Sequence, residues 1–392
     1  MSSSKRLPGV DGLRAAAALW VVLFHMAAFS GALFPQIPLL DLFLRSGSTG
    51  VSLFLVLSGF CLYLPFADGR TSRFKIREFF RRRGRRLMPA YVASLLLAFA
   101  LTVATAGTLG APQLTLGDAI WQLATHLTLI HTLFPSTFYS LNGAFWSLGL
   151  EWQLYIALPM LVWITSRVGL APAVALAIAC NMVYRVGLGL AISTGLVDSH
   201  SLLAIAVLPN QLPGRWAEFA FGMVAAELYA SGRLQRWARF VPAMLLVIVA
   251  LVPIGLIAVS FEFNHIVYGA LFFTLLSVVI ASDNFVARVL AWRPLVGLGT
   301  MSYSLYLVHQ PLIQISATWL QVHRPDLSPT LVFTALLLVF PFILLLAWAL
   351  FLTVERRTLG VDAANALVPR FRLGWFSTAS PAPAIIGRDV PS

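Results

Sequence analysis

The sequence predicts an all-α, polytopic membrane protein, and three observations carry the prediction. Hydrophobic residues make up 59% of the 392-residue chain and charged residues only 11%, less than half the charged share of an ordinary soluble domain. Apolar stretches of about 20 residues, long enough to cross a bilayer as a helix, recur along most of the chain. Arginine is distributed unevenly among the segments between them, which is how membrane topology is written into a sequence. The recurrence excludes a soluble enzyme held by a single anchor.

Ten spanning helices follow, at 8–29, 47–66, 88–109, 144–166, 171–193, 212–232, 240–260, 264–282, 300–320 and 328–353. Residues 7–29 exceed a signal-peptide core and precede no clear small-residue cleavage site, so they read as a first span. With the amino terminus inside, one side collects Lys5, Arg6, nine basic residues between 70 and 86, Arg167, Arg233, Arg236, Arg239, Arg288, Arg293, Arg356 and Arg357. The other side keeps little beyond Arg45, Arg215 and Arg324. That asymmetry predicts an even number of spans with both termini cytoplasmic. The 70–86 cluster reads as a loop facing anionic lipid, so the net charge of +12 gives no case for nucleic acid.

Two outer segments, 110–143 and 194–211, are too long for simple hairpin loops, and loops of that length are usually functional. The first has a mildly helical middle, Asp118 to His131, suited to lying on the membrane or dipping into it. Pro159, Pro253 and Pro341 are placed to kink their helices. Beyond residue 357 the composition turns to Pro, Ala, Gly and Ser, so a ten-helix domain over 1–357 is followed by a cytoplasmic, partly mobile tail over 358–392. Cys61 and Cys180 lie in apolar segments with neither disulfide nor metal spacing. High alanine and arginine usage with only two lysines suggests a bacterial gene, hence an inner-membrane protein. Oligomeric state leaves no signal.

Arg14 and His25 stand out because ionisable residues inside a membrane helix cost several kcal/mol and usually serve a function. Eleven residues apart, they return to within roughly 20° of one face, about 16 Å apart along the axis. Histidine exchanges protons near neutral pH, which suits activation of a hydroxyl; the structural alternative is an imidazole satisfied by a backbone carbonyl. Arg14 suits an anionic group, or else it snorkels to the interface. Glu151, after Asn142-Gly143 and Trp146-Ser147, falls near the depth expected for His25, with Tyr155 one turn on. A carboxylate there could orient the imidazole, or form an ion pair with a helix arginine. Glu218 and Glu227 are weaker candidates. Ser302, Tyr306 and His309 form a polar line at helical spacing, equally open to packing alone. Gly47-Ser48-Thr49-Gly50 and Ser58-Gly59 allow close helix approach or room for a ligand. Arg81-Arg82-Arg83-Gly84-Arg85-Arg86 offers forked donors to phosphates. The remaining histidines carry no separate claim, and no carboxylate–histidine set recurs at metal-ligand spacing.

Together these motifs resemble the acyltransferase-3 family of membrane O-acyltransferases. The arginine–ten residues–histidine spacing from Arg14 to His25 is similar to that family's motif. So are Leu57-Ser58-Gly59-Phe60, the paired arginines before Pro89, Trp146-Ser147-Leu148-Gly149-Leu150-Glu151, and the run from Ser304 to His309. The resemblance covers about residues 5–355 and implies a ten-helix core. It is to the stand-alone kind, without a fused esterase-like domain.

The resemblance implies transfer of an acyl group, acetyl being the simplest, from cytoplasmic acyl-CoA to a hydroxyl of a glycan, glycolipid or glycosylated small molecule such as a macrolide. No metal is implied. Arg14, Arg82, Arg83 and Arg86 would hold the donor's phosphates, and its pantetheine arm, on the order of 15–20 Å, would span the separation computed for Arg14 and His25. Ser58, Tyr155 and His309 would line its path, with Ser58 or Tyr155 meeting the developing oxyanion. His25 would act as general base, oriented or steadied by Glu151, although a transient acyl-histidine stays open. A transporter or lipid flippase is the main alternative, since intramembrane Arg, Glu and His serve those proteins too; related halves would mark one, and none is visible.

Overall fold

The computed structural model describes residues 7–34, 36–67, 75–109, 113–253 and 264–358, and the described part is an all-α bundle. The expected tail, apart from Thr358, lies outside the described residues, as do Lys5, Arg6, Arg70 and Arg73.

α1 (Pro8–Ser30) opens on a proline, where a missing N–H costs nothing, and closes at Gly31 with a left-handed φ of 68°. α2 (Pro38–Arg45), a 3-10 turn (Ser46–Thr49) and α3 (Gly50–Tyr63) form one broken path. α4 (Ile76–Thr105) runs 30 residues, about 45 Å. The expected loop over the arginine cluster is therefore helix from Ile76 onward. Arginine is a good helix former, and Glu78 pairs with Arg82 one turn later.

The segment between α4 and α6 carries α5 (Leu116–Leu127), started by a reciprocal capping box between Thr115 and Asp118. α6 (Trp146–Val168) and α7 (Leu170–Ser193) follow, then α8 (Leu212–Ala230), short α9 (Arg233–Arg236) and α10 (Val241–Pro253). α11 (Asn264–Ala281), α12 (Phe285–Leu290), α13 (Arg293–Thr300), α14 (Ser302–His323) and α15 (Pro329–Leu350) complete the series. A π-turn, Phe351–Glu355, extends α15. Pro159 and Pro341 do sit inside their helices.

Among the described residues six paths are long and apolar enough to cross a membrane: Pro8–Ser30, Pro38–Phe66, Ile76–Thr105, Gly143–Val168, Leu170–Ser193 and Pro329–Thr358. The other four expected spans fall on α8, α10, α11 and α14. α8 and α14 have the length but carry polar side chains: Arg215, Glu218 and Glu227 on one, Ser304, Tyr306, His309 and Gln310 on the other. Most of these are buried within the protein.

α1 packs against α3, α13 and α14. α3 and α8 meet backbone to backbone at Gly59 and Gly222: a Cβ on Gly59 would lie 2.1 Å from the Phe219 carbonyl oxygen, and one on Gly222 2.0 Å from that of Val56. Of the two readings open for Ser58-Gly59, close helix approach is the one Gly59 serves.

Candidate active site

The start of α6 is stapled to α14. Asn142 caps the turn before α6 by accepting from the Ala144 amide, and its side-chain amide donates to the Leu307 carbonyl at 2.8 Å. One turn on, the Ser147 and Tyr306 hydroxyls share a hydrogen bond of 2.6 Å. These ties turn the next inward position, Glu151, towards α3. There Glu151 Oε1 accepts from Ser58 at 3.1 Å and from Tyr155. The predicted Glu151–Tyr155 pair thus exists, joined by Ser58.

The Arg83 guanidinium lies 5.7 Å above the Tyr155 ring and 5.8 Å from that of Phe79. Arg14 donates to Cys61 Sγ at 3.3 Å, reaches Asp11 at 3.5 Å, and stands within electrostatic range of Glu151 and Tyr155. Arg86 is close enough to Arg14, Arg83 and Glu355 to feel all three. Helical phase explains the selection: Phe79, Arg83, Arg86 and Ala90 share the inward face of α4, while Arg81, Arg82 and Arg85 are exposed. Arg82 is therefore not brought to this cluster; it pairs with Glu78 outside.

At the far end of α1, His25 and His309 meet, with Nδ1 of His25 3.2 Å from Nε2 of His309. His309 is fully buried, and its Nδ1 lies 2.7 Å from the Tyr306 carbonyl. His25 Nδ1 lies 2.9 Å from the Val21 carbonyl. Carbonyls only accept, so each Nδ1 carries the proton in the neutral pair. His309 Nε2 is then a bare acceptor, His25 Nδ1–H is shared between two acceptors, and Nε2 of His25 keeps its lone pair free. The imidazole is oriented by Val21 and His309, whereas Glu151's hydrogen bonds go to Ser58 and Tyr155. Tyr306 stands between them: its ring is 5.4 Å from His309, and Glu151 is within its electrostatic range. Ser302 turns its hydroxyl back to Gly299.

A narrow cleft, with enclosed room for about one water molecule, lies between α4 and α6. Arg83, Glu151, Tyr155 and Tyr303 give it polar surface; Leu87, Met88, Leu129, Leu148 and Trp152 give it apolar walls.

Two groups escaped the sequence reading. Arg215, expected in an outer loop, is buried in the first turn of α8 and grips Glu218 through two hydrogen bonds of 2.6 and 3.0 Å. It also binds Asn210 and Ser52, and His265 approaches Glu218 to 3.6 Å. The i, i+3 spacing of Arg215 and Glu218 was the available signal. Glu355, which accepts from Ser304 at 2.6 Å, had none. His126 and His131 stack at 4.1 Å in the segment between α4 and α6, outside the six spanning paths. Burial pushes their imidazoles down to about 4 and about 3, His126 adding to the effect on His131. Among the described residues no three His, Cys, Asp or Glu side chains gather as a metal site.

An all-α bundle that sets Arg83 and Glu151 in a cleft and pairs two histidines at the far end of its first helix defines a membrane protein equipped for polar chemistry. Residues 7–352 match the acyltransferase domain of the acyltransferase-3 family, and the chain belongs to that family. Over 371 residues it is 26% identical to the putative peptidoglycan O-acetyltransferase YrhL of Bacillus subtilis, covering 81% of this chain and 50% of that protein. It is 26% identical over 359 residues to the peptidoglycan O-acetyltransferase OatA of Listeria monocytogenes (83% and 52%). The O-acetyltransferase OatA of Staphylococcus aureus is 25% identical over 346 residues (80% and 51%). The chain thus spans about half the length of these relatives. No solved structure matches it.

Proposed function

We propose that this protein moves an acetyl group from cytoplasmic acetyl-CoA to a hydroxyl of a cell-envelope glycan, working from the inner membrane of a bacterium with both termini in the cytoplasm and ten spans. Peptidoglycan is the first acceptor to test, because two of the relatives carry it in their names. The single observation that carries the reading is the imidazole pair, which leaves His25 Nε2 unprotonated at the opposite end of α1 from Arg14.

In this reading Arg14, Arg83 and Arg86 hold the donor's phosphates, Arg as a forked donor being suited to them. The acceptor hydroxyl gives its proton to His25 Nε2 as its oxygen attacks the thioester carbonyl. The tetrahedral intermediate collapses by breaking the C–S bond, the ester forms, and the proton passes to the departing thiolate. His309 takes the orienting role that a carboxylate plays in other hydroxyl-activating sites. Glu151 holds Tyr155 and Ser58 in place and balances the arginines.

Incubation of purified protein with radiolabelled acetyl-CoA and peptidoglycan fragments tests the reading. The expected result is labelled ester, removable by mild base, with free CoA released in equal amount. Release of neither product in the presence of any glycan would overturn it, and ATP-independent glycan or lipid movement across vesicles would favour a transporter.

A further inference from the structure

α14 carries a proline in its interior, Pro311. Proline has no amide to give, and its ring crowds the carbonyl four residues back, here that of Leu307. A buried carbonyl left without a donor is unfavourable. The missing bond comes from outside the helix: Asn142, itself only 1% exposed, donates its side-chain amide to Leu307 at 2.8 Å. A second tie lies beside it, from the Tyr306 hydroxyl to the Ala144 carbonyl at 3.1 Å. Gly143, between the two, lets the turn close on α14, since a Cβ there would collide with the Gln310 amide. The chain enters this turn through Leu141 at φ 59°, a left-handed conformation that leucine rarely adopts. Strain of that kind persists where the surroundings over-determine it. Here both ends of the Asn142 side chain are committed, Oδ1 to the Ala144 amide and Nδ2 to Leu307.

What the turn grips is the stretch that aims His309. The His309 ring hangs on its own helix, with Nδ1 2.7 Å from the Tyr306 carbonyl. That carbonyl belongs to the peptide next to the one Asn142 holds. A shift of the Leu307 peptide therefore carries the Tyr306 carbonyl with it, and so moves the Nε2 that meets His25 at 3.2 Å. In a regular helix the Leu307 carbonyl would be satisfied within α14, and Asn142 would have nothing to hold.

Resting on the general-base reading above, we propose that Asn142 and Pro311 together are positioning residues for the imidazole pair. The proline frees the Leu307 carbonyl, Asn142 holds it, and His309 is thereby aimed at His25. Neither is a catalytic residue; both act through His309.

Ester formation and thiol release from acetyl-CoA and peptidoglycan fragments are measured for wild type, Asn142→Ala, His309→Gln and the two combined, with kcat counted per molecule in the monodisperse detergent peak. Asn142→Ala is expected to lower kcat roughly 10- to 100-fold, the scale on which misplacement by about 1 Å acts, with KM for acetyl-CoA unchanged. In the combined variant kcat should equal that of His309→Gln alone, because a residue acting through His309 has nothing left to aim. A merely structural residue would lower both backgrounds by the same factor, and that result overturns the proposal. An unchanged kcat in Asn142→Ala overturns it too. Adding Pro311→Ala to Asn142→Ala returns an amide to the Leu307 carbonyl, so the melting temperature should recover while kcat stays low. Recovery of both overturns the positioning role, and recovery of neither overturns the link between Asn142 and Pro311. All of these failures, met with an active wild type, leave the general-base reading intact. Wild type that forms neither product overturns that reading, and this inference with it.

Discussion

Two groups of charged side chains lie inside this bundle, and they differ in kind. Around Arg215 the guanidinium is fully engaged: Glu218 takes two hydrogen bonds, Asn210 and Ser52 take the others, Trp146 covers the guanidinium face at 5.8 Å, and both charges are almost wholly buried. Around Arg14 and Arg83 the arrangement is looser. Arg14 keeps 27% of its side chain exposed, its carboxylate contact is long, and Arg83 rests on aromatic rings beside an open cleft. Charge in a membrane helix is thus no mark of function by itself. Satisfied charge fixes geometry, whereas Arg83 is left facing a cleft.

The sharpest break of this comparison is His25→Ala. In the proposed reaction His25 is the general base, whose removal costs roughly 10²–10⁴ in rate, so acetyl transfer should fall by that factor with the melting point in detergent unchanged; a lost fold would place His25 with the structural group. Arg215→Ala should do the reverse. Leaving one charge of a buried pair alone costs about 3–5 kcal/mol, read as loss of a monodisperse detergent peak. The double change Arg215→Met with Glu218→Leu should restore much of it, and failure to do so would mean the pair does more than hold helices.

Arg83→Ala is a smaller perturbation. A charge-assisted bond to a phosphate contributes about 1.5–3 kcal/mol, so KM for acetyl-CoA should rise roughly 10- to 100-fold with kcat and melting temperature little altered. The mildest effect concerns His126 and His131. Docking the segment between α4 and α6 keeps both imidazoles neutral, so protons favour the undocked form. Stability is complete above the ordinary histidine pKa near 6.5 and is lost as pH falls towards about 4. Between pH 7 and 5.5 the loss should be on the order of 1 kcal/mol per imidazole, seen as faster amide exchange over residues 116–133 and abolished in the His126→Gln, His131→Gln double variant.

Much of the site was legible because helices convert spacing into direction. Glu151 and Tyr155 were legible as neighbours from their four-residue separation, whereas Arg14 and His25, read as one-face residues, reach different helices, Arg14 to Cys61 of α3 and His25 to His309 of α14. The choice between Arg82 and its neighbours was not, since it depends on which face of α4 turns inward, and that is decided by packing against α14. Nor was the partner of His25 legible. The expectation gave it Glu151, but the staple between Asn142 and Leu307 sets the depth of α6, and at that depth Glu151 meets Ser58 and Tyr155 while His309 reaches His25.

The amino-acid sequence alone determined that the chain is an apolar helical bundle with costly polar residues at regular spacing. Composition, hydropathy and helical period are local properties, and bilayer thickness and the 3.6-residue turn translate them directly. Only the tertiary structure decided which polar groups satisfy one another and which are left facing a cleft. Hydrogen bonds close over a few ångströms between residues such as Ser52 and Arg215, 163 positions apart, or His25 and His309, 284 apart. No periodicity within a single helix specifies a meeting of that kind.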